Sequence, residues 1–121
     1  HHKGKCKNIH GHRYFIEVSI KDKIDEKTGM VIDFGDLKNI LEVFIINPYD
    51  HSLLIQENDK YLLCFKPMID EGMNIHIINY EPTAENMSYE FYQLLKEHLP
   101  NLYNVKVWET PTSMSEYKEE D

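Results

Sequence analysis

Apolar and polar side chains alternate through the first part of the chain. Residues 13–21 carry mostly polar side chains between apolar ones at every second position, which are Tyr14, Ile16, Val18 and Ile20. Because side chains at i and i+2 share one face of an extended chain, this pattern predicts an antiparallel strand with one buried face. A polar turn at residues 25–29 and an apolar run at residues 30–32 predict a second strand that completes a hairpin.

Two later segments show the spacing of amphipathic helices. Asp33 is suited to cap the first helix, and Pro48 is expected to end it. Thr83 and Pro100 bracket the second helix in the same way. The expected buried stripes are Leu37, Ile40, Leu41, Phe44 and Ile45 in the first helix, and Met87, Phe91, Leu94, Leu95 and His98 in the second.

The remaining apolar runs are shorter. Residues 74–79 and 104–109 predict two more strands, and a short edge strand is expected to end near Tyr117. The segment 53–73 fits either short helical turns or a packed loop, and Cys64 within it is expected to be buried without chemistry. The order of elements predicts an α+β fold in which two helices cover one face of an antiparallel sheet.

Composition narrows the class of protein. The chain has 121 residues and a formal net charge of -8, which suits one domain and argues against a general nucleic-acid-binding protein. No apolar run is long enough to span a membrane, and two cysteines are too few for a disulfide framework, so we expect a cytoplasmic protein. Residues 1–23 nevertheless carry six basic and two acidic side chains. This segment is either a site for an anionic small molecule, such as a phosphate ester, or a solvated basic turn.

The first candidate for chemistry is Cys6 together with the triplet His10-Gly11-His12. In an extended backbone His10 and His12 point to the same face and can converge on one ion. Imidazole nitrogen and thiolate sulfur suit zinc, which in catalytic sites has three protein ligands and one open position. A third ligand must come from elsewhere in the protein. The alternative interpretation is an exposed loop that binds nothing.

The second candidate is the pair Asp50-His51, directly after the predicted end of the first helix. A carboxylate beside an imidazole can be an ordinary turn cap. It can also be a proton-transfer pair, in which the carboxylate sets the tautomer and basicity of the imidazole. The residues alone leave both interpretations open.

These features belong to five short motifs in a fixed order. The motifs are Cys6-x-x-x-His10-Gly11-His12-x-Tyr14, Thr28-Gly29-Met30-Val31-x-Asp33-Phe34-x-x-Leu37-Lys38, Asp50-His51, Pro82-Thr83-Ala84-Glu85-Asn86 and Glu109-Thr110-Pro111-Thr112-Ser113. Together they resemble the 6-pyruvoyl tetrahydropterin synthase / QueD family over nearly the whole chain. The three-residue gap between Cys6 and His10 resembles the bacterial QueD branch, which makes 6-carboxy-5,6,7,8-tetrahydropterin.

The resemblance implies a tunnelling fold (T-fold) whose subunits join into barrels, usually as a homohexamer of two trimers. It implies a zinc-dependent lyase that converts 7,8-dihydroneopterin triphosphate to 6-carboxytetrahydropterin, acetaldehyde and triphosphate, a step in queuosine biosynthesis. The alternatives are a 6-pyruvoyl tetrahydropterin synthase, which eliminates triphosphate and keeps the carbon chain, and a non-catalytic pterin-binding relative.

The resemblance also implies roles for single residues. Cys6, Asp50 and His51 are expected to be catalytic residues, and His10 and His12 are expected to bind zinc. Glu109, Thr83 and Glu85 are expected to bind the substrate. The Glu109 carboxylate is expected to accept hydrogen bonds from the pterin ring N–H and the exocyclic amine. Local charge, rather than the resemblance, suggests that Lys3, Lys5, Lys7 and Arg13 attract the triphosphate.

Three features depart from the family pattern. The first zinc-binding histidine of the family precedes the segment that matches residues 4–6, so the single domain 1–121 is expected to lack its N-terminal strand and third zinc ligand. The family sequence Leu-Asp-His-x-x-Leu-Asn reads here as Tyr49-Asp50-His51-Ser52-Leu53-Leu54-Ile55. The segment 56–73 is also longer than usual, which bears on loop geometry.

Overall fold

The strands form two separate sheets in the computed structural model, which describes residues 11–119. Strands β1 (Phe15–Ile20), β4 (Leu102–Thr110) and β5 (Ser113–Tyr117) form an antiparallel sheet with β4 in the middle. Strands β2 (Leu53–Gln56) and β3 (Ile75–Ile78) form a parallel pair. The helical elements are α1 (Phe34–Leu41), a π-helical turn (Glu42–Ile46), α2 (Asn47–Tyr49), a 3₁₀ turn (Leu62–Phe65), α3 (Lys66–Asp70) and α4 (Ala84–Lys96).

Strand β1 is confirmed, but its predicted hairpin partner is wrong. Residues 30–32 are not a strand, and β1 pairs instead with β4, from Phe15 opposite Trp108 to Ile20 opposite Leu102. The turn itself forms, because Asp25 Oδ1 accepts hydrogen bonds from the backbone N–H groups that follow it and Gly29 adopts φ 71°. Only three residues then remain before the cap of α1, whereas β4 offers nine residues of strand.

The first predicted helix begins at its expected cap but ends later than expected. Asp33 accepts from the N–H groups of Gly35 and Asp36, as an N-cap should. Pro48 does not end the helix, because a π-helical turn precedes it and the N–H of Asn47 donates to the carbonyl of Glu42. A wider turn accommodates a residue without an N–H, so the helix continues to Tyr49.

The segment 53–73 contains a strand as well as short helical turns. Residues 74–79 do include a strand, as predicted, but β3 pairs in parallel with β2 and does not join the antiparallel sheet. A parallel pair needs a crossover connection, which the 3₁₀ turn and α3 provide. The prediction that Cys64 is buried is wrong, because its side chain is exposed on the 3₁₀ turn.

The antiparallel sheet and the helices enclose one apolar core. Thr83 caps α4 by accepting from the N–H of Asn86, as predicted. Met87, Phe91 and Leu95 of the predicted stripe are buried, but Leu94 is only partly buried and His98 is exposed. The prediction that the helix reaches Pro100 is wrong, because it ends at Lys96 and His98 lies beyond its end. Partly buried apolar residues of β1 and α1 pack against the same cluster. Its fully buried members are Ile45, Ala84, Met87, Phe91, Tyr92, Leu95, Leu99, Leu102, Val105 and Val107.

The other face of the antiparallel sheet is uncovered in the described part of one chain. Phe15 is 63% exposed, and its ring meets the edge of the Trp108 ring at a centroid distance of 5.4 Å. Beside this pair, Lys106 Nζ lies 3.6 Å from Glu17 Oε2. The alternation along β1 therefore separates a core face from an accessible face. No helix within residues 11–119 is long and apolar enough to cross a membrane.

We predict that Leu95→Ala lowers the free energy of unfolding by about 2–5 kcal/mol, because it removes a fully buried side chain and leaves a cavity. Urea denaturation measures the change. The control is Leu63→Ala, since Leu63 is 81% exposed and its loss should change stability by less than about 0.5 kcal/mol. Equal losses in the two variants would contradict this assignment of the core.

Candidate active site

A cleft of about 1200 Å³ opens where several elements of the fold meet. Its walls come from the residues before β1, the end of β4, the turn between α2 and β2, and the start of α4. Four of the residues that sequence reasoning assigned a role line this cleft: His12, Asp50, His51 and Glu109. Arg13 lines it too, so one of the predicted phosphate-attracting cations is placed at the same site.

The antiparallel register brings His12 and Glu109 together. Because Phe15 pairs with Trp108, the residues just before β1 lie beside the residue that follows Trp108. The His12 Nε2 and Glu109 Oε1 atoms are 3.4 Å apart, and both side chains keep about a third of their surface exposed, 29% and 39%. A predicted metal ligand and a predicted pterin-binding carboxylate are thus neighbours.

Tyr14 shares this corner of the cleft and was not assigned a role from the sequence. Its ring lies 5.7 Å from the His12 ring, measured between centroids. Burial raises the pKa of the Tyr14 phenol, and the nearby Glu109 charge raises it further, so the hydroxyl keeps its proton at neutral pH. The signal was in the sequence, since residues i and i+2 of an extended segment share a face.

Asp50 and His51 form a close pair in the turn between α2 and β2. The His51 Nδ1 and Asp50 Oδ2 atoms are 3.1 Å apart. The pair faces outward, with the His51 side chain 92% exposed and the Asp50 side chain 61% exposed. His51 has φ 54°, a left-handed conformation that is uncommon for residues other than glycine. A carboxylate on Nδ1 leaves Nε2 available for proton transfer.

A tyrosine pair lies directly behind this turn and was also missed by sequence reasoning. The hydroxyl oxygens of Tyr49 and Tyr80 are 2.6 Å apart, although 31 residues separate them in the chain. The Tyr49 ring packs against His76 and Phe91 at centroid distances of 4.7 Å and 4.8 Å. Burial raises the pKa of both phenols, and the bond between them raises that of Tyr80 further.

The chain also matches known proteins. The model of the 6-pyruvoyl tetrahydropterin synthase family matches residues 1–120. The chain belongs to this family. The sequence-based recognition of the family is therefore confirmed.

The sequence relatives include both 6-carboxy-5,6,7,8-tetrahydropterin synthases and 6-pyruvoyl tetrahydrobiopterin synthases. A 6-carboxy-5,6,7,8-tetrahydropterin synthase of Aquifex aeolicus is 39% identical over 126 residues, covering 96% of this chain and 77% of that protein. The corresponding synthase of Rickettsia bellii is 33% identical, covering 95% of this chain and 86% of that protein. A human 6-pyruvoyl tetrahydrobiopterin synthase is 35% identical, covering 97% and 72%.

Solved structures show the same fold. The Caenorhabditis elegans 6-pyruvoyl tetrahydropterin synthase superposes with a TM-score of 0.70 at 29% identity, covering 97% of this chain and 75% of that one. An uncharacterised Wolinella succinogenes protein superposes with a TM-score of 0.81 at 22% identity, covering 95% and 81%, and supports the fold alone.

Other predicted residues of this family member lie elsewhere or outside the described part. Cys6 and His10 fall outside residues 11–119, so their placement stays a prediction. Thr83 and Glu85 are not among the described residues that line the cleft. Thr83 is occupied as the cap of α4, and Glu85 is exposed in its first turn. Their expected role in substrate binding is untested.

The described residues provide only part of a zinc site. Within residues 11–119, no group of three or more His, Cys, Asp or Glu side chains is arranged to hold a metal ion. His12 is a suitable nitrogen donor at the wall of the cleft, and the predicted partner His10 lies outside that range. The donor chemistry fits zinc as far as it is described, and zinc binding remains a prediction.

We predict that stability falls as the pH rises above about 10, the ordinary pKa of tyrosine. The folded chain holds the protons of Tyr49 and Tyr80 more tightly than the unfolded chain does, because burial raises both pKa values. The unfolded state therefore loses its protons first, and the free energy of unfolding decreases with rising pH. Urea denaturation between about pH 8 and about pH 10.5 measures the slope.

Tyr80→Phe is the test variant, and Tyr89→Phe is its matched control. Tyr80→Phe should flatten the alkaline slope, because it removes one of the two buried hydroxyls. Tyr89→Phe removes a hydroxyl from a tyrosine that is 45% exposed and should leave the slope as it is. The same slope in all three proteins would show that the tyrosine pair does not set it.

Proposed function

We propose that this family member is a 6-carboxy-5,6,7,8-tetrahydropterin synthase, a zinc-dependent lyase. It converts 7,8-dihydroneopterin triphosphate and water to 6-carboxytetrahydropterin, acetaldehyde and triphosphate. The observation that carries the proposal is the convergence of His12, Glu109 and the Asp50–His51 pair on one cleft. The similar synthases of Aquifex aeolicus and Rickettsia bellii support this branch of the family.

Glu109 would bind the pterin ring. A carboxylate presents two oxygens with about four acceptor positions, and the contact with His12 uses only one oxygen. The remaining positions suit the paired N–H groups of a pterin, which are planar donors like those of arginine. Glu109 is partly shielded at the cleft wall, so these charge-assisted hydrogen bonds are stronger than they are in open water.

His12 and His10 would hold the zinc ion. Bound zinc would supply Lewis-acid polarisation of the hydroxyl groups on the substrate side chain and lower their pKa. Cys6 would act as the base or acid beside it, with its thiol favoured in the charged form by the lysines on either side. Glu109 and His12 line the same cleft, so the ring anchor and the metal-binding residue would both face one bound substrate.

Asp50 and His51 would move protons. The 3.1 Å contact orients the imidazole so that Nδ1 faces the carboxylate and Nε2 faces away from it. Proton transfer by a positioned imidazole contributes about a hundredfold to ten-thousandfold in rate. The high exposure of both side chains is consistent with a partner surface or the substrate covering them in the working enzyme.

The size of the cleft suits a pterin triphosphate. Its volume of about 1200 Å³ exceeds the roughly 300–1,000 Å³ of sites for drug-sized ligands, which leaves room for a pterin and a triphosphate. Arg13 at the wall, with Lys3, Lys5 and Lys7 in the preceding segment, would attract the phosphate groups. Arg13 is outnumbered in the described lining by the carboxylates Asp50, Asp59 and Glu109, so attraction of the triphosphate would depend on the lysines.

We further propose a homohexamer of two trimers whose sheets join into barrels. Strands β1 and β5 are the two edges of the antiparallel sheet in the described chain, and edge strands readily pair with other strands. The accessible face with Phe15 and Trp108 would then line a barrel rather than face bulk water. We also propose that the protein acts in queuosine biosynthesis and is cytoplasmic.

The second candidate is the pyruvoyl-forming reaction, which the 35% identity to the human 6-pyruvoyl tetrahydrobiopterin synthase supports. Both reactions would use the same anchor, metal ligands and proton-transfer pair. They differ in whether a carbon–carbon bond breaks, so their products differ in carbon count. A pterin-binding protein without turnover is the third possibility.

We predict that the zinc-loaded protein releases acetaldehyde from dihydroneopterin triphosphate in equal amount to the pterin product. Coupled reduction with alcohol dehydrogenase measures the aldehyde, and mass spectrometry identifies the pterin. Triphosphate release without acetaldehyde would overturn the proposal in favour of the pyruvoyl-forming reaction. Binding without any product would favour the non-catalytic relative.

We predict that Glu109→Gln raises KM by about tenfold to a hundredfold, since hydrogen bonds to charged groups contribute about 1.5–3 kcal/mol. Glutamine keeps one acceptor but turns an NH₂ group toward the donors of the ring. Steady-state kinetics measure the effect. Glu97→Gln makes the same chemical change at an exposed residue at the far end of α4 and should leave KM unaltered. An unchanged KM in Glu109→Gln would rule out the proposed anchor.

A further inference from the structure

The turn that carries Asp50 and His51 is fixed through its backbone rather than through its own side chains. Both side chains are mostly exposed, and the contact that the structure gives each of them is with the other. Five hydrogen bonds hold the backbone on either side. Asp50 N–H donates to the Ile46 carbonyl, and both the N–H and the Oγ of Ser52 donate to the Tyr49 carbonyl. Asn74 Nδ2 donates to the Asp50 carbonyl, and Leu53 N–H donates to the Asn74 carbonyl.

Tyr49 is the residue through which this turn reaches the interior. It is the last residue of α2, its carbonyl accepts from Ser52 at 2.6 Å, and its peptide leads directly into Asp50. Its ring is held between His76 of β3 and Phe91 of α4. The position of the turn therefore depends on where the Tyr49 side chain is seated.

The Tyr80 hydroxyl fixes the position of the Tyr49 side chain. Tyr80 lies between β3 and α4, and its oxygen is 2.6 Å from the Tyr49 oxygen, a short distance for an O–H···O bond. Aromatic packing alone allows a ring to slide within its plane, whereas a hydrogen bond fixes the position of the ring tip. Two partly buried hydroxyls also satisfy each other, which avoids the cost of an unpaired buried polar group.

We propose that Tyr49 and Tyr80 are positioning residues that hold the Asp50–His51 pair in its working geometry. The inference rests on the proposed role of that pair in proton transfer. Neither tyrosine takes part in the chemistry; their shared hydrogen bond sets the end of α2 and thereby the direction in which His51 leaves the turn. Misplacing a catalytic group by about 1 Å can lower the rate a hundredfold, so a hydrogen bond this far from the reaction still affects turnover.

The test compares Tyr80→Phe, Tyr49→Phe and the double variant with wild type. Each single variant removes one hydroxyl and keeps the ring, so the packing against Phe91 and His76 is retained. We expect amide hydrogen exchange at Ser52 and Leu53 to speed up by about fivefold to tenfold, the worth of one hydrogen bond. We expect kcat to fall by a similar factor while KM stays constant. The double variant should match either single variant, because both break the same bond.

Tyr89→Phe is the matched control, because it removes a hydroxyl from an exposed tyrosine of the same helix that carries Phe91. It should change neither exchange nor kcat. The amide of Val107, in the middle of β4 and fully buried, reports global opening in every variant. Exchange at Ser52 and Leu53 that speeds up by no more than exchange at Val107 would indicate general destabilisation and overturn the proposal.

Two further outcomes separate this inference from the proposed function. Unchanged exchange at Ser52 and Leu53 in Tyr80→Phe would overturn the positioning role whatever the activity. Faster exchange confined to the turn, with kcat unaltered, would support the positioning of the turn and overturn instead the proton-transfer role of Asp50 and His51. Hydrogen exchange needs no substrate, so it remains informative if the protein proves inactive.

Discussion

The packing of α4 against the β1-β4-β5 sheet is the interaction on which the rest of the structure depends. Phe91 and Leu95 of the helix and Val105 and Val107 of the central strand are at most 1% exposed. Their burial fixes which face of β4 points inward, and a shift of one residue would turn every side chain of the strand to the opposite face. The register of β4 with β1 is therefore set by the core and not by the cleft.

That register determines the geometry of the cleft. His12 and Glu109 belong to opposite ends of the sequence, and the pairing of β1 with β4 alone places their side chains 3.4 Å apart. Asp50 and His51 reach the same cleft by another route, through the end of α2 and the start of β2. The His12–Glu109 wall is partly buried, while the Asp50–His51 wall is an exposed turn, which suits an anchor on one side and proton transfer on the other.

Sequence patterns predicted correctly those helices, strands and caps that depend on residues nearby in the chain. The alternation of β1, the caps Asp33 and Thr83, and most of the stripe of α4 were predicted correctly, because they depend on neighbours within a few residues. The short run at residues 30–32 was misread as a strand, and the parallel pairing of β2 with β3 was not foreseen. Strand pairing depends on residues far apart in the chain, and periodicity carries no information about the partner. Family motifs supplied His12 and Glu109 as site residues, but only the fold shows that they touch.

The tyrosine pair shows why such a contact escapes sequence reasoning and why it matters. A leucine in the place of Tyr49 would fill the space without fixing the end of the side chain. Apolar packing is non-directional, so it stabilises a turn without selecting one orientation. A hydroxyl pair with one short bond is directional, and moving either ring leaves two partly buried polar groups unsatisfied. The π-helical turn before Pro48 then has a structural consequence, because it lets the helix run on to Tyr49 and brings this hydroxyl within reach of Tyr80.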